Sequence, residues 1–277
     1  MAESKLKLLV CVHKKDVFLC DDTYMPIHVG KAISDLTLGI QGDDTGDNIS
    51  SKNKNYCELT GVYWAWKNLI GENIDYIGFC HYRRYFNFQA GGFYIRNSST
   101  INTEELKNME TSDSDVVNIL KKYDIILAKP LIYRYNLSHD YGKRHISDDL
   151  KVLEAVIKEL TPEYIPAYNE VMNKNNKLSP CNMFVTNRKI YDDYCTWLFC
   201  ILEELEKRID ISAYDPVQAR IWGYMSERLL NVYVKKNHMR VKYCPIIGVV
   251  DNGKKKNIFR YCWPRLRNSV YFFFRKV

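Results

Sequence analysis

The segment at residues 75–86, DYIGFCHYRRYF, is the feature that most constrains the fold. Its apolar, β-rich run predicts a buried strand that ends abruptly in His81, Tyr82, Arg83 and Arg84. Alternation along a strand would place His81 and Arg83 on one face and Tyr82 on the other. In open α/β sheets, ligands bind at the carboxyl ends of strands, and an imidazole with two guanidiniums suits a phosphate or diphosphate. A surface loop with solvated arginines is the alternative interpretation.

The segments that precede residues 75–86 predict a parallel sheet. Residues 6–13, LKLLVCVH, have the pattern of a buried parallel strand. Asn55 is expected to cap a helix, with Glu58 three residues later completing a capping box. A strand, a helix and a strand with short links are typical of parallel sheets. We therefore predict an α/β fold with a mostly parallel central sheet and helical additions. Further strands are predicted at residues 123–128, 181–186 and 239–244.

Length and composition indicate one globular unit with a basic end. The 277 residues are 46% hydrophobic and 26% charged, which is ordinary for a globular protein. We expect a single domain over residues 1–253 and a basic, aromatic tail over residues 254–277. The nine cysteines form no C-x-x-C pair, which favours a reduced, cytoplasmic protein over a disulfide scaffold or a zinc site. No segment has the length of a membrane span or the pattern of a signal peptide.

The sequence lacks the signatures of several large enzyme classes. It contains no G-x-x-x-x-G-K-[ST], no G-x-G-x-x-G, no G-x-S-x-G and no H-E-x-x-H. P-loop ATPases, Rossmann dehydrogenases, α/β-hydrolases and zincins are therefore disfavoured. The net charge of +7 favours acidic partners, such as nucleotides, anionic lipids or nucleic acids.

An acidic loop, GDDTGDNIS, precedes the first predicted helix. Asp43, Asp44, Asp47 and Asn48 lie within it. Their oxygens could bind a cation or the hydroxyls of a ribose. A solvated turn explains them as well, because Gly, Asp and Asn are the usual turn residues. The spacing does not match an EF-hand loop.

Two polar clusters lie in the second half of the chain. Residues 133–149 follow a predicted strand and contain two histidines in an H-x-x-x-x-x-H spacing that is no recognised zinc pattern, so no metal is predicted there. A helix is expected to begin at Asp215, which is either its N-cap or a general base. Glu227, farther along this helix, is either part of a solvated pair or a second candidate base.

Six segments spread over residues 7–234 form a distinctive combination. They read HVGKAISD, GDDTGDNIS, NYCELTGVYWAWKN, DYIGFCHYRRYF, NMFVTN and QARIWGYMSERL. With these motifs the chain resembles a bacterial family of glycosyltransferases from capsular and exopolysaccharide gene clusters, long catalogued as a domain of unknown function. The resemblance implies a GT-A-like nucleotide-binding sandwich with the acceptor site in its carboxyl-terminal half. It also implies a nucleotide-sugar donor, most often a UDP-sugar, and in some relatives UDP-galactofuranose.

The sequence departs from the usual GT-A pattern at one strand end. Many GT-A enzymes carry an Asp-x-Asp that holds Mn²⁺ or Mg²⁺ against the diphosphate, but the corresponding strand end here reads CHYRR. Either His81, Arg83 and Arg84 replace the metal ion, or the acidic loop supplies metal ligands. We favour the first alternative, because guanidiniums bind phosphate oxygens bidentately. No cofactor is therefore expected to be required, although dependence on a divalent metal stays open.

The resemblance also implies binding roles for the candidate residues. The donor is expected to contact His13, Asp44, Asn48, Asn55, Glu58, His81, Arg83 and Arg84. The acceptor, a glycan or a lipid-linked glycan, is expected to contact His139, Tyr141, His145 and Arg220.

Catalysis would need a base and a cationic environment for the leaving group. By loose analogy with inverting GT-A enzymes, Asp215 is the first choice of base, and Arg220 fits the arginine that follows the acidic residue in those enzymes. Glu227 is the second choice. His81 is expected to help to stabilise the departing diphosphate.

Two other classes of function remain open at the level of sequence. A non-catalytic protein that binds nucleotide sugars or glycans through a degenerate transferase fold would explain the missing Asp-x-Asp. A nucleic-acid-binding protein would need a basic face with exposed aromatic rings. The basic residues instead concentrate in the tail, so no nucleic-acid partner is predicted.

The tail supplies the last prediction. Residues 263–277, WPRLRNSVYFFFRKV, interleave Arg and Lys with large aromatic residues. Such a segment can lie in an anionic membrane interface, with its aromatic residues inward and its cations at the headgroups. Alternatively, the aromatic residues pack back on the domain as a final part of the core. We predict a peripheral contact with the inner face of the cell membrane.

Overall fold

The computed structural model describes residues 5–69, 73–88, 97–98, 113–249 and 258–275. The two apolar runs that the sequence indicates near the amino terminus form the neighbouring strands β1 (Leu6–Val12) and β4 (Tyr76–His81). The other described strands are β2 (Tyr24–His28), β3 (Gln41–Gly42), β5 (Arg84–Phe86), β6 (Asn97–Ser98), β7 (Ile125–Ala128), β8 (Leu131–Ile132), β9 (Lys177–Leu178), β10 (Phe184–Asn187), β11 (Val241–Cys244) and β12 (Ile246–Val249).

The central sheet has the order β11-β7-β10-β4-β1-β2-β3. Leu8 of β1 lies opposite Tyr24 of β2 and Gly78 of β4, and all three strands are parallel. β11 and β7 are also parallel, whereas β10 is antiparallel to both β4 and β7. β12 extends the sheet by pairing with β5 and β6, while β8 and β9 form a separate ribbon. The predicted α/β fold with a mostly parallel sheet is confirmed.

Helices cover both faces of this sheet. They are α1 (Asn53–Tyr56), α2 (Leu59–Asn68), α3 (Asp113–Leu120), α4 (Leu137–Arg144), α5 (Asp148–Leu160), α6 (Ile165–Tyr168), α7 (Arg188–Arg208), α8 (Ile221–Lys236) and α9 (Ile258–Arg275). A 3₁₀ helix at Gln218–Arg220 leads into α8. Among the described residues, no helix has the length and apolarity that a membrane crossing needs.

The core explains why β1 is apolar at almost every position. Leu9 and Cys11 pack on one face of the sheet, with the large cluster that α2, α5, α7 and α8 help to form. Leu8 and Val10 point to the opposite face, with a second cluster that includes residues of α3 and β5. Because successive side chains on a strand alternate and both faces are covered, neither set can be polar.

Gly78 is required where β10 crosses beside β4. A Cβ atom at this position would lie 2.8 Å from the carbonyl oxygen of Phe184 and 2.7 Å from the side chain of Leu8. A backbone oxygen cannot move aside as a flexible side chain can. Because Gly78 has no Cβ atom, the antiparallel strand β10 can lie close to β4, whose other neighbour, β1, is parallel to it.

The predicted capping box at Asn55 and Glu58 is wrong. α1 ends at Tyr56, and Cys57, with a φ of 53°, separates it from α2, which begins at Leu59. The Asn55 amide donates to the carbonyl of Ala219 at 2.8 Å instead of capping a helix. Glu58 precedes α2, but its side chain makes no capping hydrogen bond because it accepts from Asn182.

The tail forms helix α9, which is docked on the β8–β9 ribbon. The Asn268 amide donates to the carbonyl of Ile132 at 2.8 Å, and the Arg134 guanidinium lies 3.9 Å from the centre of the Tyr271 ring. The predicted boundary between residues 253 and 254 lies outside the described residues. The division into a domain and a tail therefore stays a prediction.

Candidate active site

A cavity of about 620 Å³ opens at the carboxyl ends of β1, β2 and β4. This is the edge at which parallel sheets bind ligands, and the volume is within the usual range of small-molecule sites. Its described lining contains two histidines and one carboxylate, His13, His81 and Glu58. It also contains five cationic side chains, Lys14, Lys54, Arg83, Arg84 and Arg220. The lining therefore suits an anionic ligand.

The HYRR segment reaches this cavity as a tight turn. β4 ends at His81, β5 begins at Arg84, and these two residues are Cα partners across an antiparallel pair. Tyr82 and Arg83 form the two-residue turn between them, so the alternation of a continuous strand does not apply. The prediction that His81 and Arg83 share one face, with Tyr82 on the other, is wrong for this reason. All four side chains line the cavity.

The two arginines of this turn differ in their partners. Arg83 donates to Asp16 from Nε at 3.0 Å and from Nη2 at 2.9 Å, and its guanidinium lies 5.2 Å from the centre of the Tyr82 ring. Among the described residues, Arg84 forms no ion pair of this kind. The charge of Arg84 is therefore the more available of the two for an incoming anion.

A strained turn connects the histidine and the carboxylate of the cavity. Cys181 and Asn182, just before β10, have φ values of 72° and 50°, a conformation that costs energy in residues other than glycine. The Cys181 carbonyl lies 2.8 Å from Nε2 of His81, and the Asn182 amide donates to Oε1 of Glu58 at 2.8 Å. A carbonyl oxygen can only accept, so Nε2 carries the proton and Nδ1 of neutral His81 is an acceptor.

Glu227, on α8, is hydrogen-bonded to the backbone of the same turn. Its Oε1 accepts from the amide of Cys181 at 2.8 Å, and its Oε2 lies 3.4 Å from Nη1 of Arg228. Burial is the main cause that raises the pKa of Glu227, while the Arg228 charge opposes it. The described cavity lining does not include Glu227, so the structure places it behind the turn rather than beside a bound ligand.

Arg220 and Cys57 form a second contact at the cavity wall. Nε of Arg220 donates to Sγ of Cys57 at 3.2 Å. Burial raises the pKa of the Cys57 thiol to about 11, with the Glu58 charge adding to the shift and the hydrogen bond from Arg220 opposing it. The thiol is therefore neutral near pH 7, and Arg220 forms no ion pair with a carboxylate among the described residues.

His13 follows the end of β1 and lines the same cavity as the cationic side chains. Its ring meets the Tyr82 ring edge-on, with 5.3 Å between centroids. Burial lowers the pKa of His13 from 6.5, and the charges of Lys14, His81, Arg83 and Arg220 lower it further. His13 is therefore neutral at pH 7 when no anion is present.

In the acidic loop, the side chains of Asp43 and Asn48 form hydrogen bonds within the protein. The buried Asp43 carboxylate accepts from the backbone amides of Gly30 and Lys31 at 2.9 and 3.0 Å, and from the Ser50 hydroxyl. The Asn48 side chain is held within its own loop by Gly46 and Ser50. Asp44 is exposed. The described cavity lining includes none of Asp44, Asn48 and Asn55.

The three predicted acceptor residues on and after α4 are not brought to the cavity. Tyr141 lies in the core with no exposed surface, so it cannot present its hydroxyl to an acceptor in this conformation. His145 stacks on Tyr224 with 4.1 Å between ring centroids, and its Nδ1 lies 3.2 Å from the Gln218 side chain. His139 lies against Tyr135 at 4.4 Å between centroids.

Asp215 occupies a capping position. Its Oδ1 accepts from the backbone amides of Val217 and Gln218 at 2.7 and 3.0 Å. These are the bonds of an N-cap, although the helix that follows is the short 3₁₀ turn, and α8 begins only at Ile221. Asp215 does not belong to the described cavity lining.

The strand end does not fit the metal site of GT-A enzymes. At this place the chain presents His81, Arg83 and Arg84 where those enzymes present two carboxylates, and guanidiniums repel a divalent cation. In the parts of the chain that the structure describes, no group of three or more His, Cys, Asp or Glu side chains could hold a metal ion.

The sequence-based site lacks Lys14, Asn182 and Asp16, among other contributors. Lys14 follows the end of β1, and the strand-end argument applied to residues 75–86 would have found it. Asn182 had no such signal, because nothing in the local sequence indicates two consecutive left-handed residues without glycine. Asp16 was missed because its pairing with Arg83 joins residues 67 positions apart.

Comparisons with known proteins agree with this architecture. No curated protein matches the chain. The solved apo structure of the WbbM bifunctional glycosyltransferase matches it with a TM-score of 0.82 and 34% sequence identity. That match covers 93% of this chain but 48% of the other, so this chain spans about half the length of that enzyme. It confirms the expected glycosyltransferase type of fold. The family model "Domain of unknown function (DUF4422)" matches residues 7–238, and the chain therefore belongs to the DUF4422 family.

Proposed function

We propose that this chain is a glycosyltransferase that moves a sugar from a nucleotide-sugar donor to a glycan or lipid-linked acceptor. The observation that carries the proposal is the cavity at the ends of β1 and β4, where five cations and two histidines surround the single described carboxylate, Glu58. The likeness to half of a bifunctional glycosyltransferase supports it. The donor would be a UDP-sugar, with UDP-galactofuranose as one candidate.

The cations would hold the donor diphosphate. Arg84 and Arg220 carry guanidiniums that are available to phosphate oxygens, and charge-assisted bonds to phosphate are among the strongest in proteins. Nε2 of His81 is engaged by the Cys181 carbonyl, so its ring is fixed and would add positive potential when protonated. These groups would stabilise the negative charge that develops on the departing diphosphate.

Glu58 is the residue that we assign as the general base. Its carboxylate lines the cavity, and the Asn182 amide fixes one oxygen while leaving acceptor capacity on the carboxylate. In the reaction, Glu58 accepts the proton of the acceptor hydroxyl. The hydroxyl oxygen forms the new bond to the anomeric carbon, whose bond to the diphosphate breaks. Asp215, the first choice from the sequence, does not belong to the described cavity lining, and its Oδ1 accepts from two backbone amides.

We infer that the reaction needs no metal ion. The positive charge that a divalent metal would supply is carried by Arg84, Arg220 and Lys14 in the lining of the same cavity. Asp43, the buried carboxylate of the acidic loop, already accepts hydrogen bonds from Gly30 and Lys31. It is therefore poorly placed to act as a metal ligand.

The setting that we propose is the inner face of the bacterial cell membrane, in capsular or exopolysaccharide assembly. Helix α9 supports this setting, because Trp263, Phe273 and Phe274 expose 66, 74 and 78% of their surface. The sequence from residue 258 to residue 275 contains four arginines and no carboxylate. An exposed aromatic face on a cationic helix is typical of a peripheral contact with an anionic membrane.

Release of UDP from a panel of UDP-sugars, with and without glycan acceptors, tests the proposed activity. We expect one donor to support transfer by the wild-type chain and Glu58→Gln to slow this transfer strongly while donor binding persists. If a UDP-sugar binds in the cavity but neither transfer nor hydrolysis occurs, the non-catalytic alternative replaces the enzyme. If no nucleotide sugar binds, both functions are excluded.

A further inference from the structure

A second site lies far along the sheet from the donor cavity, beside helix α9. One cavity of about 840 Å³ extends over the sheet edge at β7 and β11, and its lining includes Arg265 of α9. Another, of about 550 Å³, lies between residues 173–177 and the α9 residues Ser269, Phe272 and Phe273. Lys174 and Lys177 line both cavities. The two cavities therefore adjoin, and we refer to them together as the α9 cleft.

The charged side of the α9 cleft is formed by lysines. Lys174 and Lys177 are exposed, and neither forms an ion pair with a carboxylate of the described residues. Lys235 also lines the larger cavity, where its ammonium lies 2.5 Å from the Glu170 carboxylate. Two ammoniums without a countercharge, three positions apart in one segment, suit a phosphate group.

Part of the wall of the α9 cleft is apolar. Leu127, Val234 and Val241 contribute to the larger cavity, and Phe272 and Phe273 to the smaller one. These side chains suit a hydrocarbon chain, while Asn175, Asn176 and Ser269 in the same lining can bind the polar part of a headgroup. A phosphate subsite beside an apolar groove fits an anionic amphiphile.

The orientation of α9 places this cleft next to an exposed apolar face. Asn268 and Tyr271 dock the helix on the domain through Ile132 and Arg134. The exposed apolar side chains of the helix recur at helical spacing on the side away from this docking contact. They are Trp263, Leu266, Val270, Phe273 and Phe274. Phe273 belongs both to this face and to the lining of the cleft.

We propose that the α9 cleft binds one anionic phospholipid of the membrane, with its phosphate between Lys174 and Lys177 and an acyl chain along Phe272 and Phe273. This proposal rests on the membrane contact proposed for α9, and it adds a defined lipid site formed mainly outside the tail. The cleft thereby selects anionic headgroups, while the aromatic face of α9 supplies general affinity for the interface.

The test compares two double variants that carry the same net charge. Lys174→Glu/Lys177→Glu reverses the proposed phosphate ligands. Lys121→Glu/Lys158→Glu reverses two exposed lysines that do not line the cleft. Sedimentation with vesicles of phosphatidylglycerol and phosphatidylcholine should show roughly tenfold or greater weakening for the first variant and little change for the second. Equal weakening of both would show diffuse charge attraction only and overturn the site.

A soluble probe separates a lipid site from a site for free phosphate. Dihexanoyl phosphatidylglycerol, below its micelle concentration, should perturb the NMR amide signals of residues 173–177 in the wild-type chain. Inorganic phosphate at the same concentration should perturb them much less. Equal responses would make the cleft a phosphate site without lipid specificity, and no response to the lipid would exclude the proposal. Transfer to a soluble acceptor, measured in parallel, reports separately on the proposed glycosyltransferase function.

Discussion

The Asn182 amide donates to Oε1 of Glu58 at 2.8 Å and thereby joins the strained turn before β10 to the carboxylate of the donor cavity. The adjacent Cys181 carbonyl accepts from Nε2 of His81. One turn therefore orients Glu58 and His81 in the lining of a single cavity. Preorganised groups of this kind are a large part of enzymatic rate enhancement, because they cost no reorganisation during the reaction.

The first prediction concerns Glu58. Glu58→Gln keeps a side-chain oxygen that can accept from Asn182, but the amide cannot take the acceptor proton. Turnover should fall roughly 100- to 10,000-fold, while the UDP dissociation constant stays within a few-fold of the wild-type value. Initial rates of UDP release and calorimetric titration measure the two effects.

Asp215→Asn is the matched control for Glu58. Asn and Asp cap helices equally well, so the bonds to Val217 and Gln218 should survive, and we expect nearly wild-type turnover. Loss of turnover in Asp215→Asn with full activity in Glu58→Gln would return the role of base to Asp215.

The second prediction concerns the pH dependence of donor binding. In the empty cavity the pKa of His13 is held below 6.5, chiefly by burial and then by the surrounding cations. A bound diphosphate supplies negative charge and raises this pKa, so binding takes up a proton. Affinity for a UDP-sugar should therefore increase as the pH falls below the raised pKa of the complex, and it should level off below the lowered pKa of the empty cavity. His13→Gln should flatten this dependence, and an unchanged profile in the variant would exclude His13 as its source.

The third prediction concerns metal ions. We expect transfer to continue in EDTA at close to the untreated rate, because the arginines and Lys14 already supply positive charge at the strand ends. The measurement is initial rate after chelation and after addition of Mn²⁺ or Mg²⁺. Loss of activity in EDTA with recovery in Mn²⁺ would overturn the inference and direct attention to the carboxylates of the acidic loop.

The fourth prediction concerns the exposed end of α9. Phe273→Ser/Phe274→Ser removes two rings that expose 74 and 78% of their surface, so the melting temperature should change little. Sedimentation with anionic vesicles should nevertheless decrease, because burial of these rings in the interface is lost. A large fall in melting temperature with unchanged vesicle binding would show that the rings belong to the core instead.

The sequence predicted the sheet well because burial on two faces leaves a strong local pattern. β1 and β4 are apolar at nearly every position, and both were located from this pattern alone. The strand expected at residues 181–186 begins only at Phe184, because Cys181 and Asn182 adopt left-handed conformations. That conformation is stabilised by Glu58, His81 and Glu227, which are distant in sequence and invisible to a local pattern.

The candidate site was predicted only in part. The HYRR segment and Glu58 were identified, because charged residues at a strand end and before a helix are visible in the sequence. The role of Asp215 was chosen by analogy with inverting GT-A enzymes, and that of Tyr141 from its position in the polar cluster after a predicted strand. In the structure, backbone amides engage Asp215 and the core encloses Tyr141, and each depends on tertiary packing that spacing does not encode.

The most direct test of the donor cavity is a calorimetric titration of UDP into the wild-type chain, Arg84→Ala and Arg83→Ala. Arg84 has no ion-pair partner among the described residues, so its loss should weaken binding by about 1.5–3 kcal/mol, or roughly 10- to 100-fold. Arg83 is already paired with Asp16, so Arg83→Ala should cost less. Unchanged UDP affinity in folded Arg84→Ala, or no binding of UDP to the wild-type chain, would contradict the assignment of this cavity to a nucleotide-sugar donor.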